Sequence, residues 1–546
     1  MRVRLCKKLL GYLMVSLRPN CQEDLLYMNH YSMITTRKTL LAVAIATALT
    51  GCSLTPTPLT LQERSEQLNS DQVALFQNQE PISGPINLYQ AMARALKYNQ
   101  DHRVKMMEKA VADGQASLEK FDLLPDLVAR AGYVSRNNYN ASTSRGMDDG
   151  LVSLRNSTSQ DRSRFMGDLQ LRWNILDFGV SYFRAQQEGN KVLMTAENRR
   201  KIAHNIIQEV RTAYWSALSA QRMSAKIQPV LKEAQHALDL ARTAEEEKLR
   251  APLDALRYRK TLLEIVRRLE ALLDQQRIAK SELAGLINIP PNQSFELADD
   301  TAKPLPTISK PNMSIEQMDE LALQLRPELR QEMYQTRIGA DEVKKAMLRL
   351  LPGVELQLGG NYDSNSYLMN QNWGEVGSQI SKNLFELLSA PQAIATAETQ
   401  ESLAHSKRLA AYMAIITQVR MTQQHLDLAE NQFQRTVELD DINQEIHRHV
   451  MNNELVNAMS ALERIRISVD SVLSSIQKHQ AYAESQEALA KLYVSLGLDP
   501  LPSTIENNDV NSLAEAIEAI DKKWANSEFS KQAAEDPQPN EEEKGG

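Results

Sequence analysis

A period of two between apolar and polar residues predicts several short strands. Residues 168–175 show it best. Their apolar face holds Leu169, Leu171, Trp173 and Ile175, and their polar face holds Asp168, Gln170, Arg172 and Asn174. Residues 354–358 repeat the pattern, residues 127–133 show it more weakly, and 375–384 is the weakest predicted strand. A transmembrane strand between lipid and water has this pattern, but so does a soluble sheet with one wet face, which is commoner.

Helical periodicity fills most of the remaining chain. Residues 178–248 have Pro229 as their one interior proline and predict a helix of roughly 100 Å, and residues 393–448 form its counterpart. The segments that return from these helices carry stripes with a period of seven, which predicts a left-handed coiled coil. The stripes are Leu262, Leu269, Gln276 and Leu283 in the first half, and Leu455, Leu462, Val469, Ile476, Ala483 and Ala490 in the second. An ordinary long helical hairpin shares this geometry.

The chain divides into two similar halves at a proline-rich linker, KPLPTISKP at 303–311. Each half has a short helix, then a longer helix that ends at Leu124-Pro125 or Leu351-Pro352, then strands, then two long helices. This order predicts an internal duplication. We expect a first repeat at 86–300, the linker at 301–312, a second repeat at 313–502, and an acidic, mostly disordered tail at 503–546 with a short helix at 511–524.

The N-terminus has the pattern of an export signal. Arg37 and Lys38 precede the apolar run TLLAVAIATALTG at 39–51, which is too short to span a membrane. The run ends in Leu-Thr-Gly-Cys, which looks like a bacterial lipobox, so we expect cleavage before Cys52 and acylation of its thiol. The alternative is a buried cysteine beside a chance apolar run. Residues 1–51 are then the signal peptide, with Met33 as the expected start, and residues 52–85 are a lipid-anchored linker.

Composition and motifs argue against other classes of protein. The net charge of −7 does not suit a nucleic-acid binder that works through bulk charge. Three cysteines cannot form a disulfide framework or a four-cysteine zinc site. His447 and His449 lie two residues apart, which places them on different faces of a helix, so we expect no metal there. No phosphate-binding loop, zinc-protease or hydrolase motif occurs, and we predict no enzymatic activity and no cofactor.

Several landmarks together resemble the outer-membrane efflux protein family, whose best known member is TolC. They are the lipobox, the duplicated order of elements, the two Leu-Pro pairs, Trp-Asn-Ile-Leu-Asp-Phe-Gly at 173–179 and Asn-Leu-Phe-Glu-Leu at 383–387. The resemblance covers residues 86–500. It implies a mainly α fold with a small antiparallel β part, assembled as a homotrimer. Each chain would give four strands to a 12-strand outer-membrane β-barrel, which a periplasmic coiled-coil α-barrel continues.

The resemblance also implies a function. Family members are exit ducts of tripartite efflux or type I secretion systems, and they move small molecules or polypeptides out of the cell. Their partners are a periplasmic adaptor and an inner-membrane pump or ABC exporter. Two other functions are compatible with the sequence patterns. One is a structural periplasmic coiled-coil lipoprotein without a pore, and the other is the adaptor itself, although adaptors carry a single helical hairpin.

Two turns resemble the family's adaptor-docking pattern, G-x-x-S-x-x-D. The first turn holds Lys248, Leu249, Arg250 and Ala251, and the second holds Arg448, His449, Val450 and Met451. Asp254 and Glu454 stand at the carboxylate positions that follow, and the resemblance makes them candidates for a periplasmic gate. The alternative is that Glu454 is a solvated residue at a helix start. Lys248 and Arg448 replace the glycines, which leaves efflux and protein secretion both open.

Overall fold

The computed structural model describes residues 57–77, 79–153, 155–247, 251–290, 293–299, 305, 308, 310–452, 461–500 and 509–528. Cys52, Lys248, Leu249, Arg250 and Glu454 lie outside the described residues, as does the signal peptide. The chain forms two compact units, Met1–Leu75 and Phe76–Gly546. The described part of the first unit is essentially one helix, α1 (Leu61–Phe76), which has no buried residue. Thr60 and Glu63 cap its start, since each accepts a hydrogen bond from the backbone N–H of the other.

The second unit contains the predicted duplication. The first repeat consists of α2 (Leu88–Tyr98), α3 (Gln100–Phe121), β1 (Asp126–Ser135), β2 (Ala141–Ser142), β3 (Ser157–Thr158), β4 (Ser163–Asn174), α4 (Ile175–Glu246) and α5 (Pro252–Leu286). The second repeat consists of α6 (Ile315–Leu325), α7 (Pro327–Leu348), β5 (Gly353–Asp363), β6 (Asn372–Ser381), α8 (Leu384–Asn452) and α9 (Ala461–Ser495). Capping boxes start the equivalent helices α2, at Asn87 and Gln90, and α6, at Ser314 and Gln317.

The main sheet joins the two repeats. Its four strands are antiparallel in the order β1-β4-β5-β6, and β4 pairs with β5 from Met166–Asp363 to Asn174–Glu355. The predicted strand boundaries need two corrections. Ile175 is the first residue of α4, because the Asn174 side chain accepts hydrogen bonds from the N–H groups that follow and starts a helix. The strand expected at 375–384 is β6, which begins and ends three residues earlier.

The long helices are uninterrupted. α4 has 72 residues and continues through Pro229, and α8 has 69 residues and continues through Pro391. α8 begins nine residues before the predicted start at 393. The period-of-seven stripes are confirmed where they are described, since Leu262, Leu269, Leu283, Val469 and Ile476 are all buried. Within the described residues, no helix combines the length and the apolar character needed to cross a membrane.

The short helix expected at 511–524 is confirmed. It is helix α10 (Val510–Ala525), which packs into the core. Its residues Leu513 and Ile517 join a cluster with α2, α4 and α5, and Ile520 and Trp524 join another with α6, α8 and α9. A third cluster holds α4, α5 and α9 together. The amphipathic helix therefore connects the cores of both repeats.

Candidate functional site

One face of the main sheet is apolar and exposed. The register aligns four side chains in one row across all four strands: Leu127, Leu171, Leu358 and Val376. Leu127 is 64% exposed, Leu358 54% and Val376 82%. Trp173 and Leu356 form the next row and are also exposed. A continuous apolar surface of this kind needs another apolar phase or partner to cover it.

The opposite face is polar. Arg130 and Asp168 are cross-strand partners whose Nη1 and Oδ2 atoms are 3.7 Å apart. Gln170 accepts a 2.7 Å hydrogen bond from Arg172, and Asn361 donates to Glu375 at 3.3 Å. The alternation predicted from the sequence thus separates two surfaces of opposite character, an arrangement that suits lipid on one side and water on the other.

Both edges of this sheet are open in the part of the chain that the structure describes. β1 and β6 stand at the ends of the strand order, so each has one side without a strand neighbour. Both are ten residues long. Long open edges present rows of unpaired N–H and C=O groups, which favour pairing with another strand.

The junctions from strand to helix explain the sequence landmark at 173–179. Asn174 caps α4 by accepting from the N–H groups of Leu176 and Asp177. Trp173 and Phe178 pack edge to face, with ring centroids 5.9 Å apart. A Cβ atom on Gly179 would lie 3.4 Å from Leu348 of α7, so the small residue allows close helix packing. In the second repeat, Lys382 donates a hydrogen bond to the Arg349 carbonyl.

The two repeats differ in how their middle helices are covered. α7 packs against both α4 and α8, whereas its counterpart α3 packs along α4 and, within the described residues, along no second long helix. The uncovered side of α3 exposes Val104, Met107, Val111 and Leu118. α8 exposes Leu403, Leu409 and Met413 in turn. Both surfaces are apolar, so each needs an apolar partner to cover it.

A buried carboxylate fastens the far end of α8 to α9. Asp440 is 3% exposed and accepts hydrogen bonds from Ser474 at 3.0 Å, Ser475 at 2.8 Å and the ammonium of Lys478. Burial would raise the pKa of the Asp440 carboxyl, but hydrogen bonds from Lys478, Gln444 and Ser475 outweigh it and hold the pKa below its ordinary value. The stabilisation is therefore present above the ordinary carboxyl pKa and is lost as the pH falls through the lowered pKa.

His479 of α9 lies near cations of α4. Burial lowers the pKa of His479 to about 4, and the positive charges of Arg222, Lys478 and Lys226 add to the shift. The imidazole is therefore neutral at physiological pH. Sequence reasoning missed the Asp440 network, although Ser468, Ser471, Ser474 and Ser475 mark a polar helix face in the coiled coil.

The described candidate residues of the two turns lie at helix ends. Ala251 is the N-cap of α5, and Asp254 lies exposed in its first turn. Arg448, His449, Val450 and Met451 lie at the end of α8. His449 pairs with Glu445 at 3.5 Å, and His447 contacts Ser468 instead, so the two histidines have separate partners. The described residues contain no group of ligands that could hold a metal ion.

Comparison with known proteins agrees with this architecture. The outer-membrane channel OprN shares 17% identity with the chain and has a TM-score of 0.59, covering 75% of this chain and 89% of its own. The CmeC outer membrane channel of Campylobacter jejuni shares 13% identity and has a TM-score of 0.61, covering 75% of this chain and 85% of its own. The MtrE outer membrane channel of Neisseria gonorrhoeae shares 18% identity and has a TM-score of 0.55, covering 77% of this chain and 94% of its own. No curated protein matches the chain.

The fold is therefore that of the outer-membrane channels. Residues 91–288, most of the first repeat, match the sequence model of the outer membrane efflux protein family. This match confirms the resemblance noted from the sequence.

Proposed function

We propose that the protein is the outer-membrane exit duct of a tripartite efflux system. The observation that carries the proposal is the main sheet, which exposes an apolar row on one face and charged side chains on the other. Lipid would cover the apolar face, and the polar face would line a water-filled passage. The helices that begin directly after β4 and β6 would continue this passage into the periplasm. The family match supports an outer-membrane exit duct.

The passage requires more than one copy of the chain. Four strands are too few to close around a lumen. Pairing of β6 with β1 of the next copy would remove both open edges, and three copies would give the twelve strands expected of the family. Closed rotational symmetry brings the same two surfaces together at every interface. The exposed apolar sides of α3 and α8 would meet at that interface.

The rival function, a periplasmic spacer without a pore, does not explain the sheet. A coiled-coil spacer has no use for an exposed apolar sheet face opposite a charged one. Three measurements separate the two functions: outer-membrane fractionation, migration on SDS gels with and without heating, and conductance in a planar lipid bilayer. We expect a heat-modifiable oligomer in the outer-membrane fraction that conducts ions. A monomeric, non-conducting protein would leave the spacer as the better function.

We further propose that the protein is anchored through Cys52, because this residue alone in the signal context supplies the thiol for acylation. Cys52→Ser should abolish processing at this site, and the uncleaved precursor should accumulate. Mass spectrometry of the mature N-terminus tests the prediction, with Ser53→Ala, next to the cysteine, as the matched control that leaves processing intact. A mature chain with an unmodified first residue other than Cys52 would contradict it.

The turns at the far ends of the hairpins would form the periplasmic entrance. We propose that Lys248 to Ala251 and Arg448 to Met451 contact an adaptor that links the duct to an inner-membrane pump. Glu454 and Asp254 would contribute carboxylates to the entrance. Three copies of an inward carboxylate around one axis attract cations and repel anions.

The entrance proposal predicts a change in ion selectivity. Glu454→Gln should reduce the preference for cations and weaken block by multivalent cations, because three charges leave the narrowest part of the passage. Single-channel recording measures both quantities. Glu463→Gln, in the first turn of α9, is the control and should have little effect. Unchanged selectivity in the Glu454 variant would show that this residue does not line the constriction.

A further inference from the structure

An aromatic side chain interrupts the polar face of the main sheet. Trp373 is the second residue of β6 and pairs with Asn361, whose other cross-strand partner is Asp168. Since side chains alternate along a strand, Trp373 shares this face with Glu375, while Val376 belongs to the apolar face. The indole is 44% exposed. Large aromatic residues of membrane strands normally face the lipid interface, so a tryptophan on the water side calls for a different role.

The surroundings of Trp373 combine an exposed aromatic side chain with a negative charge. Glu375 lies two residues further along the strand on the same face and accepts a hydrogen bond from Asn361 at 3.3 Å. Gly359, the cross-strand partner of Glu375, places no side chain there. Trp373, Asn361 and Asp168 line an open depression.

The carboxylates near Trp373 differ in whether a cation of the same chain already neutralises them, and this decides which one is available to bind a ligand. Asp363, at the end of β5, is held by Arg164 at 2.9 Å. Asp168 lies 3.7 Å from the Arg130 guanidinium. Glu375 has a neutral amide as its hydrogen-bond donor, so within one chain this contact does not neutralise its negative charge. An exposed indole beside a carboxylate attracts organic cations through the ring quadrupole and through direct charge attraction. A cation with a flat aromatic ring gains stacking on the indole in addition.

The geometry points to a contact site for organic cations that carry a flat aromatic ring, formed by Trp373 and Glu375. This inference rests on the proposed function, because the polar face is a lumen wall only in the assembled channel. β6 runs from Asn372, next to the loop, to Ser381, next to α8, so Trp373 lies at the end of the strand remote from the helices. A symmetric trimer would place three such sites around the outer mouth of the passage.

The experiment uses the full protein in planar lipid bilayers. N-methylacridinium, a planar aromatic cation, is added on the side of the sheet loops, and the concentration that blocks half the current is measured. Trp373→Leu and Glu375→Gln should each raise that concentration about fivefold, whereas Trp373→Tyr should retain most of the block. Glu355→Gln is the matched control, because Glu355 lies on the same face near the helix end of β5 and should leave the block unchanged. Tetraethylammonium, a cation without a ring, should respond less to Trp373→Leu.

The outcomes separate this inference from the proposed function. A wild-type protein that does not conduct would contradict the channel itself. A conducting wild type whose block is unchanged in both Trp373→Leu and Glu375→Gln would overturn the site alone. Equal effects of Trp373→Leu on both cations would overturn recognition of the aromatic ring. Should Trp373→Leu fail to assemble, Trp373→Tyr and Glu375→Gln still decide the question, and loss of block in Glu375→Gln but not in Glu355→Gln would support the site.

Discussion

Leu171→Arg should prevent assembly of the channel. Leu171 lies in the middle of the apolar row, between Leu127 and Leu358 on the neighbouring strands. A charge on the lipid-facing side of a membrane strand costs about 2–4 kcal/mol near the middle of the bilayer. Each copy of the chain in an oligomer would bear that cost. We expect the heat-modifiable oligomer on SDS gels to be largely lost and the variant to leave the outer-membrane fraction.

The control for this prediction places the same charge on the other face. In Asn361→Arg, the new guanidinium would lie on the polar face, between the carboxylates of Asp168 and Glu375. Gln170 is a poorer choice, because it already accepts hydrogen bonds from Arg172 and Arg130. We expect Asn361→Arg to assemble like the wild type. Equal tolerance of both substitutions would argue for a soluble sheet and against a membrane-spanning one.

Asp521→Ala should strongly destabilise the folded unit. Asp521 of α10 accepts hydrogen bonds from the Arg211 guanidinium at 2.6 Å and from the Tyr89 hydroxyl at 3.0 Å. The Arg211 side chain is only 5% exposed, so the substitution leaves a buried cation without its partner. Removing one member of a buried ion pair costs about 3 kcal/mol or more. Thermal unfolding of the detergent-solubilised protein, followed by circular dichroism, should show a clearly lower midpoint.

Two further variants identify the cause of that loss. Lys522→Ala removes the neighbouring cation, which forms an exposed pair with Glu518, and should change stability by less than about 1 kcal/mol. The double variant Arg211→Met with Asp521→Leu removes both charges and should recover part of the loss. An Asp521→Ala protein as stable as the Lys522→Ala protein would show that α10 is not held by this pair.

Periodic and local features were readable from the sequence. The alternation in 168–174 assigns one face of β4 to apolar residues because side chains of a strand point to opposite sides. The period of seven places Leu262 and Leu269 in the core for an equally local reason. The Leu-Pro pairs lie just beyond the ends of α3 and α7, since proline favours extended geometry in the residue before it. The duplicated order of elements and the family resemblance follow from these same local patterns.

Tertiary structure decided what depends on contacts between distant residues. The pairing of β4 with β5 joins two repeats, and no local pattern specifies which strands become neighbours. The hydrogen-bond donors to Asp440, among them Ser475 and Lys478, lie on another helix. Without that contact, the sequence of α8 predicts a solvated carboxylate. Helix α10 is short and lies in an acidic tail, yet its apolar residues are buried in the cores of both repeats. In each case the arrangement depends on the free energy of burying or pairing groups. The sequence around one residue does not give that free energy, because it depends on the distant side chains that the fold brings into contact.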